Sequence, residues 1–207
     1  MEGIESIMGQ ALAVLRDGGI IVYPTDTIWG IGCDATNPEA VAKVYSIKRR
    51  EDSKALVLLA ANMDMVARYV KEIPSIAVDL VEVNDRPMTI IYPGAICGKA
   101  PRSGAETIRG DRHFLAWNAV AEDGSVGIRI PMMDFCRDLS YKLGRPLVST
   151  SANISGEPSP KTFKDIPEEI LSAADYVVPS HLGRSSTGAA SQIIKVELDG
   201  QVKIIRG

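Results

Sequence analysis

The chain has 207 residues, which suits one domain, and no stretch approaches the roughly 18 consecutive apolar residues of a membrane-spanning helix. Its 23 basic and 26 acidic side chains give a net charge of −3, which argues against a general coat on nucleic acid but permits a local basic groove. With only two histidines, His113 and His181, the sequence excludes a histidine-rich metal site. Three scattered cysteines and the absence of a signal-peptide pattern predict a protein of the reducing cytoplasm.

Helix and strand patterns alternate through the first half of the chain. Apolar residues at helical spacing predict a helix over residues 4–15, which ends at Gly18-Gly19. The apolar run at 20–23 predicts a buried strand, and Pro24 ends it before a polar loop at 25–27. Further elements are predicted as a helix from Asn37-Pro38 to 47, a strand at 55–60, helices at 64–70 and after Pro74, and a strand at 88–92.

The second half contains one long segment without a clear pattern and then returns to strands. Residues 93–112 are rich in Gly, Pro, Arg and Ser, and a loop of about 20 residues is long enough to suggest a lid. Further elements are predicted as strands at 126–130 and 146–148 around a helix, a polar run at 149–161, a helix at 166–174, and a hairpin of 191–197 and 201–205 around Asp199-Gly200. This order predicts an α/β fold, α+β in stricter usage, with one domain over residues 1–207 and a twisted mixed sheet flanked by helices.

A basic cluster, Lys48-Arg49-Arg50 with Lys54 shortly after it, follows the second predicted helix. Cations at the C-terminal end of a helix stabilise its dipole, so the cluster alone is typical of a solvated helix end. If the chain instead becomes extended after Ile47, the side chains of Lys48 and Arg50 point the same way and can hold one polyphosphate together.

Two polar clusters follow predicted strands. Ser149-Thr150-Ser151-Ala152-Asn153 comes directly after the strand at 146–148, and Thr25-Asp26-Thr27 follows the strand at 20–23. A single turn needs fewer polar side chains than the first cluster supplies, and open sheets bind ligands at the carboxyl ends of their strands. Hydroxyl and amide groups in that place suit a phosphate and its magnesium ion. Since no histidine lies nearby in sequence, neither cluster indicates a covalent hydrolase.

The run Gly30-Ile31-Gly32-Cys33-Asp34-Ala35 fits the dinucleotide-binding pattern GxGxxA. That pattern binds a dinucleotide only where it follows a strand directly and opens a helix. The predicted elements around these residues do not provide that context. The sequence therefore argues against a dinucleotide site.

Three motifs, taken together and in this order, resemble those of the YrdC-type threonylcarbamoyl-AMP synthases. They are Tyr23-Pro24-Thr25-Asp26-Thr27 with Trp29-Gly30-Ile31-Gly32, Lys48-x-Arg50 with Lys54, and the run from Pro146 to Gly156. The resemblance spans about Gly19 to Arg206 and implies a YrdC/RibB-like fold with a large concave, positively charged surface. It also implies an enzyme that converts L-threonine, bicarbonate or CO2, and ATP to threonylcarbamoyl-AMP and pyrophosphate. This is the first step of N6-threonylcarbamoyladenosine (t6A) formation in tRNA.

The resemblance further implies roles for particular residues. The family's Lys-x-Arg and Ser-x-Asn tetrad falls on four residues that would be catalytic: Lys48, Arg50, Ser151 and Asn153. ATP contacts would come from Arg50, Lys54, Ser151, Asn153, Ser159 and Arg206, and threonine contacts from Thr27, Arg129, Ser149, Ser186 and Thr187. Magnesium would bridge the phosphates without a metal site made by the protein. The implied partners are the substrates, tRNA and the proteins of the t6A transferase complex, with no membrane.

Two alternatives stay open. A noncatalytic RNA-binding module would bind tRNA or double-stranded RNA through a charged concavity, but the net charge and an aromatic content of 5% do not favour it. A related carbamoyl-adenylate chemistry, as in hydrogenase maturation, starts from carbamoyl phosphate and belongs to a much larger multidomain protein. The length of this chain favours the single-domain form of the synthase.

Overall fold

The computed structural model describes residues 3–50, 56–99 and 114–207. The helices of these segments are α1 (Ile4–Arg16), α2 (Pro38–Lys48), α3 (Met63–Tyr69), α4 (Ser75–Val83), α5 (Asp134–Leu143) and α6 (Glu168–Ala173). Their strands are β1 (Ile21–Tyr23), β2 (Gly30–Gly32), β3 (Val57–Leu59), β4 (Met88–Tyr92), β5 (Val126–Arg129), β6 (Leu147–Ser151), β7 (Tyr176–Val177), β8 (Gln192–Val196) and β9 (Val202–Arg206). No helix in the described segments combines the length and the apolar composition needed to cross a bilayer.

The strands of the described segments join one mixed sheet in the order β7-β1-β2-β6-β3-β5-β4-β8-β9. Near its middle, β6 pairs antiparallel with β2 on one side and with β3 on the other. The pairs β1–β7, β3–β5 and β4–β8 are parallel, whereas β8 and β9 form an antiparallel hairpin around Asp199-Gly200. The predicted mixed sheet with flanking helices is confirmed.

The two faces of the sheet carry separate apolar cores, because neighbouring strand residues point to opposite faces. On the first face, Leu59 and Leu147 pack with α1 and α5. On the second face, Leu58 and Val148 pack with α2 and α3. The first face turns polar along β6, since Ser149 follows Leu147 on it. This change leaves a polar area that α1 and α5 do not cover.

Three strands differ from the sequence prediction. The pattern does not reveal β2 and β7, because strands of three and two residues are too short to show an alternation. β6 continues to Ser151, so Ser149–Ser151 belong to this strand and not to a loop. Their backbone pairs with Gly30 on β2 and Val57 on β3, which extends the strand without further apolar side chains. Most of the loop predicted at 93–112 lies outside the described residues.

Gly32 is required at its position because the backbone of β6 passes directly beside it. A Cβ atom on Gly32 would lie 1.8 Å from the carbonyl oxygen of Val148. We expect Gly32→Ala to force β2 and β6 apart and to lower the free energy of unfolding by about 3 kcal/mol, the upper end of the usual effect of overpacking. Denaturant-induced unfolding of the variant measures this loss.

Gly9→Ala is the matched control for this substitution. Gly9 lies on the exposed face of α1, and a Cβ atom there meets nothing within 4 Å. Alanine at this position should raise the free energy of unfolding by about 0.5–1 kcal/mol through its helix propensity. A Gly32→Ala variant as stable as the wild type would contradict the close approach of β2 to β6.

Candidate active site

A cleft of about 280 Å³ occupies the polar area of the first sheet face. We define it by its lining residues: Thr25, Thr27, Ile28, Gly30, Arg50, Val57, Arg129, Ser149, Thr150, Ser151, Ser159, Ala190, Ser191, Ile193 and Arg206. They come from six strands, from the segments that follow β1, α2 and β6, and from the segment just before β8. Three of these described residues are arginines, seven carry hydroxyl groups, and none is a carboxylate. The cleft is therefore built to receive a negatively charged ligand.

The C-terminal end of α2 brings Arg50 to the cleft. The helix ends at Lys48, and Arg49 adopts the left-handed conformation with a φ of 50°, so the chain turns at once. The extended arrangement considered for Lys48 and Arg50 does not form, and their side chains do not project together. Arg49 points away to an ion pair with Glu169 at 2.6 Å, while Arg50 lines the cleft.

The side chain of Lys48 is buried and bonds to the segment that follows β6. Its Nζ donates hydrogen bonds to the carbonyl oxygen of Ser151, to that of Asn153 at 2.6 Å, and to Oδ1 of Asn153 at 3.2 Å. Burial, and next the charge of Arg50, lower the pKa of Lys48 to about 8, so the amine stays mostly protonated at neutral pH. Three acceptors match the three donors of an ammonium group. Lys48 thus holds the turn after Ser151 and is not among the lining residues.

Asn153 belongs to the same turn and not to the wall of the cleft. It is 5% exposed, and its Nδ2 donates to the carbonyl of Glu157 at 2.6 Å. The backbone N–H of Ser155 donates to the carbonyl of Lys48 at 2.9 Å, which satisfies an acceptor at the end of α2. The implied tetrad therefore divides into two lining residues, Arg50 and Ser151, and two residues that connect α2 to the segment after β6.

The residues implied for threonine also divide into two groups. Thr27, Arg129 and Ser149 line the cleft. Ser186 and Thr187 are not among its lining residues. The hydroxyl of Ser186 donates to a backbone carbonyl of the loop after β1, and Thr187 is exposed. The structure thus brings three of the five residues together around one space.

Arg129 is 4% exposed and is bound at one end of its guanidinium group. Its Nη1 donates to Oδ1 of Asp26 at 2.9 Å and to Oγ1 of Thr27 at 3.1 Å. Its Nε is buried and has no hydrogen-bond partner among the described residues. The sequence indicated no separate role for Asp26, although an arginine on a buried strand requires a counter-charge close by. Which carboxylate supplies it depends on the pairing of distant segments.

Arg206 reaches the cleft from β9 at the edge of the sheet. Its Nε and Nη2 donate to the carbonyl oxygen of Ser191 at 2.9 Å and 2.7 Å. The hydroxyl of Ser191 lies 2.8 Å from that of Thr89, so this lining residue, which no sequence motif indicated, is held by β4. Burial, and then the charge of Arg129, lower the pKa of Arg206. Arg206 and Arg129 therefore repel each other, and a bound anion relieves that repulsion.

Two further residues, Ser159 and Lys54, belong to the implied ATP contacts. Ser159 lines the cleft and is exposed, whereas Lys54 lies outside the described residues. Within the described segments, no three histidine, cysteine, aspartate or glutamate side chains are grouped to hold a metal ion.

A mixed sheet with an arginine-lined, hydroxyl-rich cleft defines the protein as an α/β domain with a site for an anionic ligand. Comparison with known proteins narrows this class. The Sua5/YciO/YrdC family model, whose description is "Telomere recombination", matches residues 13–207. The chain belongs to this family.

Two curated relatives match most of the chain. It is 32% identical over 174 residues to the threonylcarbamoyl-AMP synthase of Halorhodospira halophila, and the match covers 84% of this chain and 82% of that protein. It is 30% identical over 182 residues to the threonylcarbamoyl-AMP synthase of Stenotrophomonas maltophilia, with 86% and 89% covered.

Two solved structures share the fold. P. abyssi Sua5 complexed with L-threonine has a TM-score of 0.75 and 23% identity over 95% of this chain and 52% of that one. E. coli YciO has a TM-score of 0.71 and 20% identity over 100% of this chain and 90% of that one. This chain thus spans about half the length of P. abyssi Sua5. At these identities the likeness concerns the fold, and the bound threonine is a property of the P. abyssi protein.

Proposed function

We propose that this protein is a threonylcarbamoyl-AMP synthase, which joins L-threonine, bicarbonate or CO2, and ATP into threonylcarbamoyl-AMP and releases pyrophosphate. Identity of 30–32% to two synthases over most of each chain supports this function. The observation that carries it is the cleft, which presents three arginines and seven hydroxyl groups without a carboxylate among its described lining residues. Such a surface suits a triphosphate and an amino-acid carboxylate bound side by side.

The phosphates of ATP are assigned to Arg50, Ser151, Ser159 and Arg206, with Lys54 as a further contact from outside the described residues. Lys48 and Asn153 support this set through the turn after β6. Magnesium enters with ATP as part of the substrate and bridges its phosphates, since this ion keeps several waters and takes few protein ligands.

The carboxylate of threonine is assigned to Arg129, and Thr27 and Ser149 are assigned to its other polar groups. Because the fold holds the guanidinium at Nη1 and Nε is buried, Nη2 is the donor left to an anion. Ser186 and Thr187 act indirectly in this proposal, because their segment bonds to the backbone of the loop at 25–27.

The chemistry requires alignment and charge neutralisation and no nucleophile from the protein. The amine of threonine attacks CO2, loses a proton and becomes a carbamate. A carbamate oxygen then attacks the α-phosphorus of ATP. The bond between the α-phosphorus and the oxygen that joins it to the β-phosphorus breaks, and pyrophosphate leaves with the electron pair. Holding two anions in line lowers the entropic part of the barrier. Arginines placed near the departing pyrophosphate stabilise the charge that develops on it.

Pyrophosphate release by the purified protein with Mg·ATP tests this function. We expect release to require both L-threonine and bicarbonate and to fall to background when either is omitted, because the nucleophile forms from the two together. Replacing both with carbamoyl phosphate tests the rival carbamoyl-adenylate chemistry. ATP turnover independent of threonine would contradict the proposal, and salt-sensitive RNA binding without any turnover would favour the RNA-binding module instead.

The remaining expectations form part of this proposal. The product is an activated carbamoyl adenylate, so a transferase must pass its threonylcarbamoyl group to tRNA, and the t6A transferase proteins and tRNA are the proposed partners. Their support is family membership. The proposed cytoplasmic location is supported by three cysteines that are all unpaired: Cys33, Cys97 and Cys136.

A further inference from the structure

Asp26 is buried, lies outside the cleft wall, and connects three segments of the chain. It is 7% exposed, and both of its carboxylate oxygens are used. Oδ1 accepts the hydrogen bond from Nη1 of Arg129 at 2.9 Å, and Oδ2 accepts one from the backbone N–H of Met132 at 3.1 Å. Its own carbonyl oxygen accepts the N–H of Thr187 at 3.1 Å.

The contact between Asp26 and Arg129 fixes the direction of the arginine. A guanidinium group is planar and rigid, so binding it at Nη1 sets where its other donors point. The carboxylate is also held by Met132, just beyond the end of β5, and therefore cannot follow Arg129 if the arginine side chain moves. Thr27 supplies the second acceptor for Nη1 at 3.1 Å. The arginine is thus preorganised before any ligand binds.

The same residue links Arg129 to the segment at 186–188. The N–H of Gly188 donates to the carbonyl of Thr27 at 2.7 Å, beside the bond from Thr187 to Asp26. The hydroxyl of Ser186 donates to the carbonyl of Thr25. Through these hydrogen bonds the segment at 186–188, whose residues do not line the cleft, is joined to the loop at 25–27, where Thr25 and Thr27 do.

We propose that Asp26 is a positioning residue for the amino-acid carboxylate, which it orients through Arg129 without touching the substrate. The proposal rests on the proposed function, since it takes threonine as the ligand of Arg129. Its loss should weaken the binding of threonine and leave the binding of ATP unchanged, because the ATP set shares no hydrogen bond with Asp26 among the described residues.

The test compares Asp26→Asn with the wild type in the pyrophosphate assay. Asparagine keeps the shape but loses the charge, and we expect the KM for threonine to rise about 10- to 100-fold, as for a lost charged hydrogen bond. The KM for ATP should stay within about twofold. Asp134→Asn is the control, because that carboxylate also pairs with an arginine, Arg137, but is 82% exposed and lies at the start of α5.

Asp26→Glu addresses the possibility that Asp26→Asn fails to fold. Glutamate keeps the buried charge but places the carboxylate one methylene further out, so Arg129 should be misdirected while the pair survives. We expect its threonine KM to rise as well, with an unchanged KM for ATP. In an Arg129→Met background, Asp26→Asn should have no further effect on threonine binding measured by calorimetry, because the two residues act as one unit.

The outcomes separate the two proposals. Wild-type protein that releases no pyrophosphate with threonine would overturn the proposed function and this inference with it. An active wild type whose Asp26→Asn or Asp26→Glu variant keeps the wild-type threonine KM would overturn the role of Asp26 alone. Equal increases in both KM values would also overturn it, because they would indicate a general structural role.

Discussion

Arg50→Ala should lower pyrophosphate release by about 100- to 1,000-fold, the range found when one preorganised charge-stabilising donor is removed. Arg50 is the cleft arginine that α2 supplies, and its charge already influences a neighbour, since it contributes to the lowered pKa of Lys48. In the proposed reaction this charge faces the phosphates of ATP. Steady-state kinetics with saturating threonine and bicarbonate measure the loss.

Arg49→Ala is a matched control on the adjacent residue. The Arg49 side chain is 66% exposed and pairs with Glu169 on the surface, so its removal should change the rate by less than about twofold and the stability by less than 1 kcal/mol. If both variants lost activity equally, a general effect of positive charge at the end of α2 would explain the result. An active Arg50→Ala enzyme would remove Arg50 from the site.

Lys48→Met should affect both stability and activity. Methionine fills a similar volume but cannot donate, so the carbonyls of Ser151 and Asn153 lose a charged hydrogen-bond donor in a buried place. We expect the free energy of unfolding to fall by about 3 kcal/mol, as for buried acceptors left unsatisfied. Activity should fall by about 100-fold, because a small displacement of Ser151 misplaces a group that aligns the substrate.

Two comparisons make the Lys48→Met result specific. Lys43→Met on the exposed side of α2 removes a single 3.4 Å contact to the carbonyl of Gly18 and should leave both quantities nearly unchanged. Arg50→Ala should reduce activity with a smaller loss of stability than Lys48→Met, since Arg50 is less buried than Lys48 and lines the cleft. A Lys48→Met variant that is inactive but as stable as wild type would mean that Lys48 contacts the substrate directly.

The sequence predicted the mixed sheet because most of its strands and helices bury apolar residues with a clear period. It also placed Arg50, Ser151 and Thr27 in one site, although this came from a resemblance between motifs and not from periodicity. The polar end of β6 escaped prediction for a physical reason: residues that face a cleft have no apolar alternation, so a strand of this kind has the composition of a loop.

The direction of Lys48 and the role of Asp26 could not be predicted from local patterns. Lys48 and Arg50 point in different directions because the chain makes a left-handed turn at Arg49, a conformation that non-glycine residues rarely adopt. The partner of Asp26 lies 103 positions away on β5, and only the packed fold brings the two together. Both features depend on tertiary contacts between distant segments.

The edge strand β9 has a consequence for how the cleft opens. All five of its residues are exposed, and among the described strands its backbone pairs only with β8, whereas β5, which carries Arg129, lies between β3 and β4. Segments with few buried contacts unfold locally at a much lower free energy than the interior of a sheet. The side of the cleft formed by Arg206 can therefore detach transiently while the side formed by Arg129 stays folded. ATP and threonine are thus bound by parts of the sheet that differ in local stability.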